Sequence, residues 1–159
     1  MEKNKKSKVS VEINNRKARH DYEFVVTYTA GIVLTGTEIK SIRAGKASIV
    51  DAYCYIDSNN EIWMKQSFVA KYEQGNPFSM HDENRQRKLL LNKKEITDLK
   101  KKVEEKGYTI VPYKMFISER GLCKVNIALA KGKHDYDKRQ AIKERDSKRE
   151  LDSIMKQYK

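Results

Sequence analysis

Apolar residues recur at every second position through much of this chain, and that period of two constrains its fold more than any other feature. Tyr22, Phe24, Val26 and Tyr28 share one face of an extended segment. Val50, Ala52, Cys54 and Ile56 share a face of another, and Cys123, Val125, Ile127 and Leu129 a face of a third. Such alternation belongs to half-buried strands whose other face meets water. Turn-forming residues separate the runs. Thr29, Ala30 and Gly31 read as a turn that returns the chain through residues 32–35. Residues 57–60 (DSNN) join a second hairpin, 48–56 with 62–72, and residues 118–121 (SERG) join a third, 108–117 with 122–130. Pro112 has no N–H for a ladder, which places an edge or a bulge there. Val9, Val11 and Ile13 suggest a further strand at the start.

Helical spacing is sparser. Over residues 92–106, Asn92 stands as the cap with Glu95 three residues on, as in a capping box. Ile96, Leu99 and Val103 make the buried stripe, and Gly107 is the stop. A short helix over 38–43, capped by Thr37, ends before Gly45. Residues 14–21 read as polar and irregular, and 73–87 as a long polar connection. Nothing resembles alternating strand–helix–strand units. A chain of 159 residues supports one core, and many short antiparallel strands lose their edges most economically by closing on themselves. The expected architecture is therefore mainly β: an OB-like antiparallel barrel with one or two short helices and one longer flanking helix. An α+β sandwich is the alternative. The organisation expected is a basic lead (1–8), the barrel (9–130) and a basic C-terminal tail (131–159).

Charge gathers at the two ends. The chain carries a formal +12, of which residues 1–20 supply seven Lys/Arg against two acids and residues 131–159 ten against six. A near-balanced body with basic extensions favours nucleic acid over anionic lipid, because Lys and Arg displace counterions condensed on phosphates. The tail has too few apolar residues to bury and fold alone, only Leu151, Ile154, Met155 and Tyr158 falling at helical spacing. Cys54 and Cys123 lie in strand register without metal-ligand spacing, which reads as buried reduced thiols in a cytoplasmic protein. No stretch approaches a membrane span, and the N-terminus has no apolar signal region.

Several clusters suit RNA. Asn15, Arg16, Lys17, Arg19 and His20 crowd into six residues, where cations would grip phosphates and Asn and His reach sugars or base edges. The alternative is a solvated turn. Lys40 and Arg43 share the outer face of the short helix, with Lys46 just beyond. Tyr53 and Tyr55 fall on the strand face opposite Cys54, as stacking platforms for bases or as surfaces covered by protein. Catalysis has little support: His20, His81 and His134 are scattered, no nucleophile motif occurs, and Asp57, Glu61 and Asp82 do not form a metal-binding carboxylate cluster. No catalytic residue, metal or cofactor is expected. A nuclease built on an OB-type barrel and a generic ribosome-associated RNA-binding protein are the competing readings.

Six blocks are more specific: NRKARHDYEF (15–24), AGIVLTGTEIKSIRAGKASIVDAY (30–53), RKLLLN (87–92), GYTIVP (107–112), CKVNIALAKGK (123–133) and DKR (137–139). In this order they closely resemble the SmpB family, the SsrA-binding proteins of bacteria. The resemblance implies an OB-like barrel that binds the tRNA-like domain of tmRNA and, with elongation factor Tu, delivers it to stalled ribosomes in trans-translation. It further implies a tail that is disordered when free and becomes helical in the empty mRNA channel next to the decoding centre. It places RNA binding on Leu90 and Asn92, with Lys124, Lys131 and Lys133 in the matching block, and ribosome binding on Tyr136, Asp137, Lys138, Arg139, Ile154 and Met155. A monomer is expected. Where many relatives have Glu before the Ala-Gly pair this chain has Thr29, so that glutamate's role is not carried over.

Overall fold

In the computed structural model, which describes residues 11–72 and 80–133 together with Arg145 and Arg149, the alternating segments become a closed ring of strands. The elements are β1 (Glu12–Asn14), α1 (Arg16–Asp21), β2 (Tyr22–Ile32), α2 (Gly36–Arg43), β3 (Ala47–Ser48) and β4 (Tyr53–Ile56). They continue with β5 (Ile62–Lys65), β6 (Phe68–Val69), β7 (Arg87–Leu90), α3 (Lys93–Lys106), β8 (Thr109–Ile117) and β9 (Cys123–Gly132). Antiparallel pairing runs β8–β4–β5–β7–β2–β9, and β9 pairs back onto β8, so the sheet has closed into the expected OB-like barrel. β8 shares one edge between two strands, Ile110 pairing with β4 and residues 114–116 with β1. β3 and β6 form a separate two-stranded sheet.

One core fills the ring. Ile62, Met64, Leu89, Ile110, Met115, Val125, Ile127 and Leu129 all point into it, joined by Ile42 of α2. α3 adds Ile96 and Leu99 to that core, with Val103 packed against it, as the helical stripe requires. Cys54 and Cys123 are buried free thiols. Burial pushes both pKa values up, Cys123 to about 12, which leaves them poor nucleophiles. A second, smaller apolar cluster lies on the outside, where Ala18 of α1 meets Val111, Ala128 and Ala130 with Tyr22, Phe24 and Tyr113 around them.

Two bulges create that outer cluster. In β2 the register shifts between Phe24 and Val26, and in β8 between Pro112 and Lys114. One extra residue reverses the parity of a strand. Tyr22 and Phe24 therefore pack under α1, whereas Val26 and Tyr28 join the main core, and the four do not share one face as their spacing suggests. The break at Pro112 falls where the missing donor placed it.

Other expectations are corrected. Thr29 to Gly31 form no turn: β2 continues through them, pairing Thr29 with Asn126, Ala30 with Val125 and Gly31 with Lys124. Residues 16–21 are helical rather than irregular. Thr35, not Thr37, caps α2, in a reciprocal capping box with Glu38. The strand drawn through 48–56 is broken by a turn that buries Ile49 and exposes Val50, and Gln66 at φ 58° separates β5 from β6. Asn60 at φ 58° and Gly107 at φ 65° take the left-handed positions expected of them. Asn92 caps α3 in position, but its side chain makes no capping hydrogen bond. β9 runs two residues past the boundary drawn at Ala130. Val9 and residues 73–79 of the 73–87 connection lie outside the described residues, and Arg87 at its end is a strand residue facing the interior.

That arginine anchors a buried ionic network. Arg87 and Glu38 are both 0% exposed, and Arg87 Nε donates to Glu38 Oε2. Glu38 Oε1 accepts from Arg85 Nη2 at 2.6 Å and from the Thr35 backbone N–H at 2.9 Å. The remaining Arg87 nitrogens donate to Ser67 Oγ at 2.8 Å and to the carbonyls of Ser67, Asp82, Glu83 and Arg85. Burial pushes the Glu38 carboxyl pKa up, but the guanidinium of Arg85, the Thr35 N–H and Arg87 outweigh it and hold it at about 2. Its folded value is thus below the unfolded one, so the unfolded chain takes up a proton first as pH falls. Stability from the network is complete above about pH 4.5 and is lost between there and about pH 2. Glu38→Ala leaves a buried guanidinium unpaired and is expected to lose about 3–5 kcal/mol in urea denaturation at pH 7, with a shallower acid dependence below pH 4.5.

Candidate nucleic-acid interface

The predicted RNA-facing residues separate into groups set by the two ends of β9. At the C-terminal end, α1 lies on the outer cluster and turns Arg16, Lys17 and Arg19 to solvent. Lys133 joins them, its ammonium donating to the Arg19 carbonyl at 3.4 Å and its N–H to the Asp21 carbonyl at 3.0 Å. Lys131 pairs across the ladder with Glu23 of β2, with 3.5 Å between their charges. The Arg19 guanidinium sits 5.1 Å from the Tyr113 ring centroid, so β8 sets its direction. Tyr113 was not singled out from sequence, because the bulge that turns it outward has no local signature beyond Pro112.

Asn15 belongs to the interior instead. It is 2% exposed, donates through Nδ2 to the carbonyls of Ile49 and Pro112, both at 3.0 Å, and accepts the Ala18 N–H at 3.1 Å as the cap of α1. This corrects its placement among groups that reach RNA: its amide is satisfied inside the protein. The cation cluster consequently has a fixed frame, since the same side chain starts the helix and ties it to β8.

Lys124 pairs with Gly31 seven residues before Lys131, roughly 23 Å along the strand. Gly31 also pairs with Leu90 of β7, so Leu90, Gly31 and Lys124 form one row across three strands. A Cβ on Gly31 would sit 3.4 Å from Leu90 Cβ, so the glycine lets Leu90 lie close over β2 while staying 52% exposed. Thr29, one row along, donates its hydroxyl to Asn126 Oδ1 at 2.8 Å. Asn92 follows at the exposed start of α3. Arg43 of α2 reaches this end through a 3.4 Å hydrogen bond from Nη2 to the Gly121 carbonyl. Lys40 and Lys46 are exposed with it, the Lys40 ammonium 5.4 Å from the Tyr72 ring centroid.

The ion pairs at these surfaces are weak. Lys17–Asp51 at 3.6 Å and Lys131–Glu23 at 3.5 Å are largely solvated, each worth at most about 1 kcal/mol, so phosphates compete for the cations readily. Among the described residues no group of three His, Cys, Asp or Glu could hold a metal ion, and no helix is long and apolar enough to cross a membrane. Tyr136, Asp137, Lys138, Arg139, Ile154 and Met155 lie outside the described residues.

A sequence model described as SmpB protein matches residues 12–157. An SsrA-binding protein of Phocaeicola vulgatus is 54% identical over 92% of this chain and 96% of its own length. One of Bacteroides thetaiotaomicron is 52% identical over 92% and 97%, and one of Ligilactobacillus salivarius 49% identical over 96% and 97%. Among solved structures, a chain from a study of tmRNA-SmpB at the center of the bacterial ribosome superposes with a TM-score of 0.65 at 43% identity, covering 83% of this chain and 94% of that one.

The interior role of Asn15 is testable. Asn15→Ala is expected to cost about 2 kcal/mol in denaturant unfolding, because two carbonyls and an N–H lose a buried partner. At a temperature where the variant stays folded, the salt dependence of RNA binding should match that of the parent chain.

Proposed function

The chain belongs to the SmpB family, and from that premise we propose that it is an RNA-binding adaptor of trans-translation. It binds the tRNA-like domain of tmRNA and brings that RNA to stalled ribosomes. The observation that carries this reading is the likeness to SsrA-binding proteins over more than nine-tenths of both chains. The geometry supports it, because a rigid barrel presents cations in two places rather than one continuous stripe. α1 with Lys131 and Lys133 offers phosphate contacts, while the row of Leu90, Gly31 and Lys124 combines an apolar surface with a charge. Phosphate contacts position an RNA, and contacts to sugars and bases distinguish it.

The adaptor performs no chemistry of its own in this proposal. Elongation factor Tu joins through the RNA, the chain acts as a monomer, and the residues after 133 address the ribosome. The DKR motif (137–139) would meet the decoding centre, with Tyr136 stacking beside it, and Ile154 and Met155 would dock an apolar face in the mRNA channel. Binding of free RNA and engagement of the ribosome are then separable.

Replacing Arg19 and Lys133 together with Ala should weaken binding to a tRNA-like-domain transcript and reduce the slope of log K against log salt by about one unit for each phosphate contact removed. Asp137→Ala, or Lys138→Ala with Arg139→Ala, should leave that affinity unchanged and abolish peptide tagging on ribosomes stalled at a message end. Loss of transcript affinity in the tail variants would overturn the division of labour.

A further inference from the structure

The two tyrosines on the outer face of β4 have different fates. Tyr55 donates its phenol to Gln86 Oε1 at 2.9 Å, and the Lys65 ammonium lies 4.6 Å from its ring centroid. The protein itself thus occupies Tyr55. Tyr53, two residues earlier, is 37% exposed, and no described residue hydrogen-bonds its phenol or stacks on its ring. It lines a cleft of about 340 Å³ between α1 and the turn that leads into β4, within the range of roughly 300–1,000 Å³ common for small-ligand sites. Ala18, Ala52 and Val111, all buried, add apolar patches to a mostly polar cleft, and Tyr22 adds a second ring. Lys17, Asp21, Asp51 and Thr109 supply the polar groups. Asp21 is already paired with His20, but Lys17 and Asp51 meet only in their solvated ion pair at 3.6 Å.

We propose that this cleft is a base-stacking subsite for one unpaired nucleotide of the RNA held on α1. The inference rests on the reading of α1 as an RNA-holding surface and extends it. Lys17 belongs both to the cation cluster and to the cleft wall, so an RNA backbone gripped by Arg16 and Lys17 passes the opening. A base turned in from that backbone would stack on Tyr53, as any base can on an aromatic face. On entry the Lys17–Asp51 pair exchanges partners, the ammonium going to a phosphate and the carboxylate to the base edge. A carboxylate only accepts, so it favours an edge with an exocyclic amino group, such as that of cytosine, over uracil. A nucleotide within a duplex keeps its base inside the stack, so the occupant is unpaired.

The test uses the full chain and a fluorescently labelled transcript of the tRNA-like domain of tmRNA, titrated at several salt concentrations. Tyr53→Leu is expected to bind about tenfold more weakly with an unchanged salt slope, the magnitude of one lost stacking contact, and Tyr53→Phe to bind like the parent. Asp51→Ala decides by sign. Its side chain is 76% exposed, so the fold tolerates the change, and the variant gains net positive charge. Purely electrostatic binding predicts a tighter complex, whereas the subsite predicts a weaker one. Parent-like affinity of Tyr53→Leu, or tighter binding by Asp51→Ala, overturns the subsite while leaving the role of α1 intact. Failure of the parent chain to bind the transcript overturns both.

Discussion

The pair formed by Glu38 and Arg87 is the interaction on which the arrangement of the barrel depends. Both charges are removed from water, which is costly unless each finds partners on every side. Satisfying Arg87 requires the connection at Ser67, the carbonyls of Asp82, Glu83 and Arg85 and the carboxylate at the start of α2 to converge on one point. Strand geometry carries the consequence onward. With Arg87 turned inward opposite Met64, Leu89 also turns inward and Lys88 and Leu90 turn out. The exposed position of Leu90 beside Gly31 therefore traces back to an ion pair in the interior. The same network fixes α2, and with it the outward face that carries Lys40 and Arg43.

A second constraint works through parity. Closing a ring of short strands demands strong bending, and the bulges in β2 and β8 provide it. Each also transfers a strand end to the outer surface, where α1 can pack. Asn15 then joins helix, loop and strand by satisfying two carbonyls and one N–H with a single amide. The cations of α1 stand on a frame specified by buried apolar and hydrogen-bonding groups, while the Lys17–Asp51 ion pair is solvated and weak. That combination suits a surface that must keep its shape and exchange its counter-charges for phosphates.

Much of the architecture was legible because its signals are local. Period-two runs marked β2, β4 and β9. The turns at 57–60 and 118–121, the stop at Gly107 and the stripe of α3 all depend on residues within a few positions of one another. The false turn at Thr29 to Gly31 shows the limit of that logic. Gly31 satisfies a tight turn and a close approach to Leu90 equally well, and only the neighbouring strand decides between them. Asn15 was misplaced for the same reason: beside three cations it looks exposed, and its partners at Ile49 and Pro112 are remote in sequence.

By itself the sequence determined the strand-rich class, the position of the long helix, the concentration of positive charge at the ends and the blocks that mark the family. Only the tertiary structure decided which face each residue presents. Facing depends on the count of residues in the partner strand and on contacts between distant groups, as with Glu38 and Arg87, 49 positions apart. Tyr53 and Tyr55 make the point most plainly. They share parity and chemistry, yet Gln86 and Lys65 occupy one while the other borders an open cleft, because those partners arrive from other strands and connections that no local pattern announces.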